Sequence, residues 1–183
     1  MLEEEFLKKT PEGLIYVSKT LITEHIFDPE LLEFYDYTRI IMLDKEKYEK
    51  LKNDSNYQKF SIFFGSEKLT EGKIKVLSLK NFPMAKCIEK GHIVYDLELS
   101  DDSDSLHVRR SNFNQVYAKQ FQERNIILGI SFDNLFLNDL IIGRIKQNLI
   151  IARQYKIPVL LSLFHTKHIF GWYEAMQFLR SLF

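Results

Sequence analysis

Five histidines, one cysteine and a pair of adjacent arginines are the residues of this 183-residue chain best equipped for chemistry. The histidines are His25, His92, His107, His165 and His168. A two-metal hydrolytic site needs imidazoles and carboxylates converging at strand ends, and the chain contains neither a His-x-His pair on a strand nor a His-Glu-x-x-His helix. His165-Thr166-Lys167-His168, just past an expected strand, is the best remaining candidate for metal ligation. Two histidines in a loop are more often plain surface residues. Cys87 falls in an expected helix, where a buried inert thiol is the simpler reading, and no Gly-x-Ser-x-Gly elbow accompanies a serine. Seven scattered glycines supply neither Gly-x-Gly-x-x-Gly nor a Walker A loop. We therefore expect no catalytic residue, no metal and no cofactor held by the protein itself.

Clustered cations are the positive signal. His107-Val108-Arg109-Arg110 runs directly into Ser111, and Ser111 or Asn112 is expected to cap a helix. Arginine grips phosphate bidentately and a helix N-terminus adds amide donors, so Arg109-Arg110-Ser111 reads as a phosphate-binding corner. Arg144, Lys146 and Arg153 fall on the polar side of a later helix, and Lys167 and His168 follow the last strand. The alternative for the corner is a set of ion pairs with Asp101, Asp102 and Asp104, each contributing ~0–1 kcal/mol if exposed. Charge is also uneven along the chain: residues 1–106 carry 15 Lys+Arg against 21 Asp+Glu, and residues 107–183 carry 10 against 4, so −6 balances +6. Such asymmetry points to a polyanion partner on the C-terminal half or to a basic partner on the N-terminal half, the plain alternative being charges that only solvate the surface.

The elements that must carry these residues follow from periodicity. At 100° per residue, Ile141, Ile142, Ile145, Leu149 and Ala152 share one sector of a helix, with Arg144, Lys146, Gln147, Arg153 and Gln154 outside it. Pro158 stops that helix, and Val159 to Phe164 follows as an apolar run suited to a strand covered on both faces. Earlier strands are expected at Gly13–Val17, Arg39–Asp44, Phe60–Phe64, Ile74–Leu79, Ile93–Leu97 and Ile126–Phe132. Helices are expected from Asp28-Pro29, from Lys45 to Leu51, from Pro83 to Lys90 with Gly91 as a left-handed terminus, and from Ser111 onward with Phe113, Val116, Tyr117 and Phe121 on one side. Gly65-Ser66 should end the third strand. An aromatic amphipathic segment, Trp172 to Phe183, closes the chain, with Trp172, Tyr173, Met176, Phe178 and Leu179 read as core and, alternatively, as a docking face for a protein partner.

About seven strands alternating with helices predict one α/β domain over 1–183, with 1–12 as a loose leader. Either a compact (β/α) barrel or an open doubly wound parallel sheet fits this length. The N-terminus, MLEEEFLKKT, lacks signal-peptide character, and no apolar run reaches the ~18 residues of a membrane span. With one cysteine and no disulfide framework, a soluble cytoplasmic protein is expected.

HVRRSNFNQVYAKQFQERNIILGISFDNLF, a spacer, and GRIKQNLIIARQYKIPVLLSLF together resemble the ribonuclease P protein component 3 family, the thirty-kilodalton-class subunit of archaeal and eukaryotic ribonuclease P. Arg109, Arg110, Ser111, Asn114, Val116, Ser131, Phe132, Gly143, Arg144, Gln147, Asn148, Tyr155, Lys156 and Pro158 match the family pattern in order and spacing, over less than half the chain. Asn112 stands where the family often has glycine, the first strand lacks its early aspartate, and the segment after Phe164 lacks the Arg-containing turn, which implies a diverged or shortened member. The resemblance implies a compact barrel related to polymerase-and-histidinol-phosphatase domains without their metal chemistry. It implies service in the ribonucleoprotein endonuclease that removes the 5′ leader of precursor tRNA, a hydrolase whose catalyst is the RNA with its Mg ions. The implied partners are ribonuclease P RNA, precursor tRNA indirectly, and another small protein subunit. His107, Arg109, Arg110, Ser111, Arg144, Lys146, Arg153, Lys167 and His168 are then the expected RNA contacts, and Gln147 and Asn148 contact RNA or the partner. A metal-dependent phosphoesterase and a non-catalytic protein-interaction module are the alternatives.

Overall fold

A computed structural model describes residues 7–11, 13–17, 19–71, 73–99, 111–165, 169 and 172–182. The strands are β1 (Leu7–Lys9), β2 (Ile15–Val17), β3 (Thr20–Thr23), β4 (Arg39–Met42), β5 (Ser61–Ser66), β6 (Ile74–Ser78), β7 (Ile93–Tyr95), β8 (Ile127–Ser131) and β9 (Val159–Ser162). The helices are α1 (Pro29–Phe34), α2 (Lys45–Lys52), α3 (Met84–Lys90), α4 (Gln115–Arg124), α5 (Asp139–Gln154) and α6 (Trp172–Ser181). They form one nine-stranded sheet in the order β1-β2-β9-β8-β7-β6-β5-β4-β3, parallel except for the β1–β2 hairpin.

From β3 to β9 each strand lies beside the next one in the chain. A doubly wound sheet reverses its winding direction part-way. This one never does, and it curls until β3, the far edge, meets the chain just past β9. There Thr23 bridges Phe164, the Phe164 amide donates to the Ile22 carbonyl at 2.9 Å, and the Glu24 amide donates to the Phe164 carbonyl at 3.1 Å. The open doubly wound alternative is thereby corrected in favour of a curled α/β sheet.

Curling gives the sheet two apolar faces. The concave face collects Val17, Ile22, Ile41, Val76, Ile93, Tyr95, Ile127, Leu160 and Phe164. The convex face presents Leu21, Ile40, Met42, Leu77, Val94, Leu128, Ile130 and Leu161 to a larger core that includes Leu32, Leu51, Cys87, Phe121, Ile145 and Leu149 from the helices. Neighbours such as Ile40 and Ile41 thus go to opposite faces, and both are buried. This is why the strands read as unbroken apolar runs. Each side chain so enclosed contributes roughly 1.5–3 kcal/mol.

Several local expectations change. Residues 7–9, placed in a loose leader, pair antiparallel with β2, and Thr20–Thr23 is a strand that its polar ends concealed. Gly65 does not end β5. It sits inside the strand because a Cβ there would come within 2.5 Å of Ile41 Cγ2 and 3.2 Å of Val76 Cγ2. Gly91 is extended (φ −74°, ψ 143°), and a Cβ there would meet the Cys87 carbonyl at 2.5 Å, so close approach rather than a left-handed turn requires glycine. The α4 cap is Asn114, whose side chain accepts the Tyr117 amide at 3.0 Å, and Val116 is 65% exposed because the helix starts later than the Ser111 register implies. Among the described residues no helix is long and apolar enough to cross a membrane.

Replacing Gly65 by Ala adds one methyl to a packed concave face and should cost about 1–3 kcal/mol, read as a lower midpoint in urea with an unchanged slope.

Candidate functional site

The C-terminal ends of the parallel strands, where α/β folds gather their polar groups, carry two clusters of side chains. The first is buried. It starts at Ser78, the last residue of β6, whose hydroxyl donates to Asp96 just past β7. Asn134, in the turn after β8, donates from Nδ2 to Asp96 Oδ1 at 3.0 Å and to Glu98 Oε1 at 2.6 Å. Glu98 is 0% exposed, and among the described residues its Oε2 has no hydrogen-bond partner. Burial pushes this carboxyl up to about 7 against the hydrogen bond from Asn134, so near neutrality it exchanges a proton inside the fold.

Arg144 and Asn148 enter the same region one helical turn apart on α5. Arg144 is 2% exposed, and Nη1 donates to the Glu98 carbonyl at 3.2 Å. Asn148 is 1% exposed, with Oδ1 2.6 Å from the Ser111 hydroxyl. That hydroxyl is also 3.1 Å from the Leu97 carbonyl and accepts the Phe113 amide at 3.2 Å. The Asn112 amide donates to Leu97 O at 2.9 Å, and its Nδ2 donates to Leu99 O at 3.4 Å. Residues 97–99 and 111–113 are therefore tied together, with α5 as the post behind them.

Placing Arg144 on the polar side of its helix is corrected by this geometry. The α5 face beneath residues 97–99 must supply donors to carbonyls cut off from water, and a guanidinium has the reach and the donor count. Ser111 belongs to the same tie rather than to a helix cap, so the α4 amides do not adjoin Arg109 and Arg110 in sequence as expected. Lys146 is exposed, while Gln147 and Arg153 are half-buried. His107, Arg109, Arg110, Lys167 and His168 lie outside the described residues.

The second cluster is partly exposed. His165, directly after the β3–β9 bridge, puts Nδ1 3.1 Å from Glu24 Oε2 and Nε2 3.1 Å from Glu67 Oε1. The Tyr95 hydroxyl is 3.0 Å from Nε2 and donates to Glu67 Oε1. Hydrogen bonding to Glu67, followed by Glu24, outweighs desolvation and raises the imidazole to about 9, so it is charged at neutral pH. Burial pushes Glu67 up, but the bonds from His165 and Tyr95 prevail and hold it below the usual carboxylate range. The ring acts as a doubly donating cation pinning the ends of β3, β5, β7 and β9. Among the described residues no three His, Cys, Asp or Glu side chains are grouped to hold a metal. Cys87 is buried, and burial pushes its thiol up to about 11, which fits an inert core residue.

No family model and no curated protein matches the chain. In fold it is similar to a chain of the cryo-EM structure of archaeal Ribonuclease P with mature tRNA, at a TM-score of 0.58 and 18% identity, over 89% of this chain and 82% of that one. At that identity the likeness is one of fold.

Sequence reasoning missed Asp96, Glu98 and Asn134, and also Glu24, Glu67 and Tyr95. The missed signal was position: each follows or ends an apolar run, where a polar residue faces the rim.

Two pH effects follow. The folded state holds a proton on Glu98 up to about pH 7, against 4.5 for an ordinary glutamate. It thus binds more protons than the unfolded chain between these values, and its stability falls as pH rises through them. Glu98→Gln should leave stability nearly unchanged at pH 4 and raise it by up to ~3 kcal/mol at pH 8, measured by urea denaturation. His165 has the opposite charge and a raised value, so its contribution is complete below about 6.5 and lost as pH rises through about 9. Accordingly, His165→Ala should lower Tm clearly at pH 6 and much less at pH 10.

Proposed function

We propose that this protein is a ribonuclease P protein subunit, cytoplasmic, that binds the catalytic RNA and a partner subunit and assists removal of the 5′ leader of precursor tRNA. The observation that carries the reading is the meeting of Ser111, Arg144 and Asn148. These residues come from two segments of the ordered family match, and in the fold they join one network. The likeness to an archaeal Ribonuclease P chain supports the same reading. So does the +6 charge of residues 107–183.

On this reading Arg144, Asn148 and Ser111 position the RNA-binding segment rather than touch RNA. They tie residues 97–99 to residues 111–113, the segments that flank His107, Arg109 and Arg110 in sequence, and the two arginines are assigned as phosphate ligands. Lys146, exposed on α5, adds a direct phosphate contact, and Arg153, Lys167 and His168 extend the cationic set. Gln147 is assigned to RNA or the partner. The RNA holds the Mg ions and performs the hydrolysis, and the relation of this curled sheet to polymerase-and-histidinol-phosphatase barrels belongs to the same proposal.

Reconstitution tests it. Adding the protein to ribonuclease P RNA and the remaining subunits should raise the rate of precursor-tRNA cleavage, and an unchanged rate would reject the assignment. Arg109→Ala with Arg110→Ala should weaken RNA association and reduce the slope of log K against log salt by about 1–2, since each lost phosphate contact releases fewer counterions.

A further inference from the structure

β5 and β6 are staggered. Among the described residues they pair only at Gly65↔Ile74 and Ser66↔Lys75, whereas β5 pairs with β4 from Ser61 to Phe64. Among the described residues those four have a strand on one side only. The Ser61 amide donates to the Thr38 carbonyl at 3.0 Å on the β4 side. Successive residues of a strand aim their backbone groups at opposite neighbours, so the amide and carbonyl of Ile62 face the open side.

A groove of about 550 Å³ lies along this edge, lined by Tyr48, Ile62, Phe63, Phe64, Lys73 and Ile74. Phe63 is 39% exposed there. A smaller cavity of about 100 Å³ shares Lys73 and Ile74 and reaches Ile41 and Ile93 of the concave core. The open edge thus has aromatic walls outside, where the Tyr48 and Phe64 rings are 5.6 Å apart, and aliphatic walls inside.

The border is cationic. Lys45, Tyr48 and Lys52 follow helical i, i+3, i+7 spacing on α2, and Lys52 Nζ is 5.7 Å from the Tyr48 ring centroid. Lys73 is exposed on the other lip. Nearby lysines are paired, Lys47 with Asp44, Lys59 with Glu33 and Lys68 with Glu71, but Lys45, Lys52 and Lys73 have no carboxylate partner among the described residues.

We propose that the β5 edge is a strand-addition site for an extended segment of a partner protein, three or four apolar residues flanked by acidic ones. Only another strand can satisfy the Ile62 backbone groups in register. A helix or a lipid would fill the groove and leave them unpaired. Nucleic acid would suit the lysines but not the apolar walls. Two copies of this edge would set lysines against lysines. The site lies at the N-terminal ends of the strands, opposite the Ser111–Asn148 rim, and does not rest on the RNA reading.

The test uses an array of synthetic octapeptides, each with two acidic residues, four aliphatic or aromatic residues and two acidic residues. Each is paired with a version carrying proline at the second apolar position and another with lysine for the acids. Binding to the whole protein is read by fluorescence anisotropy and amide exchange. Acid-flanked members should bind and slow exchange of the Ile62 amide, while their proline and lysine versions should not. Lys52→Glu with Lys73→Glu, both at exposed positions, should weaken binding about tenfold without changing Tm. The proposal is overturned if no member binds better than its proline version, or if the protein alone dimerises and thereby protects Ile62.

Discussion

Ser162 and Phe164 hold the two flanks of the sheet together. The Ser162 hydroxyl, completely buried, lies 2.6 Å from the Ile22 amide and 3.2 Å from its carbonyl. Two residues on, Phe164 adopts φ 53°, a left-handed conformation that costs a non-glycine residue about 1–2 kcal/mol. Its ring stacks on Tyr95 at 4.1 Å between centroids, and burial of both rings offsets that strain. If the contact between β3 and the end of β9 opened, the concave apolar face would meet water along its length. The stitch is thus the condition for a two-sided sheet in a chain of this size.

The same closure assembles the rim. Glu24 follows β3 and His165 follows the bridge, so the ion pair between residues 141 apart in sequence exists only because the sheet curls. Glu67 and Tyr95 complete it from β5 and β7. The buried cluster behind them has another purpose. Asp96 takes the Ser78 hydroxyl and Asn134, with Lys80 4.0 Å away, while Glu98 takes Asn134 at Oε1, and among the described residues its Oε2 has no hydrogen-bond partner. Such a group stabilises little by itself, and its place between β7 and α5 fixes where residues 97–99 run.

The staggering of β5 against β6 is the price of joining them without a described helix: β6 starts only at Ile74, and among the described residues no strand covers the Ser61–Phe64 edge. Elsewhere a helix spans each gap between neighbouring parallel strands. The exposed edge and the clamped rim stand at opposite ends of the strands, so one sheet offers two chemically different ends, apolar with a cationic border at one and polar at the other.

Periodicity determined much of this from sequence alone. The runs at Arg39–Asp44, Ile74–Leu79, Ile126–Phe132 and Val159–Phe164 read as strands, the last as one covered on both faces, and Pro158 separates α5 from β9, because these are local consequences of side-chain pattern and a missing amide proton. The residues that resemble a known family also lay in the sequence in order. What only the tertiary structure decided was direction and depth. Arg144 falls outside the apolar sector of the helical wheel, yet it is buried with Asn148, because the face of α5 they occupy lies under backbone carbonyls contributed by residues 97–99. Gly65 looks like a break and is a packing requirement set by Ile41 on the neighbouring strand. Thr20 and Thr23 look like loop residues and are buried in β3. Each depends on a partner far away in the chain, and periodicity within one segment carries no information about what will face it.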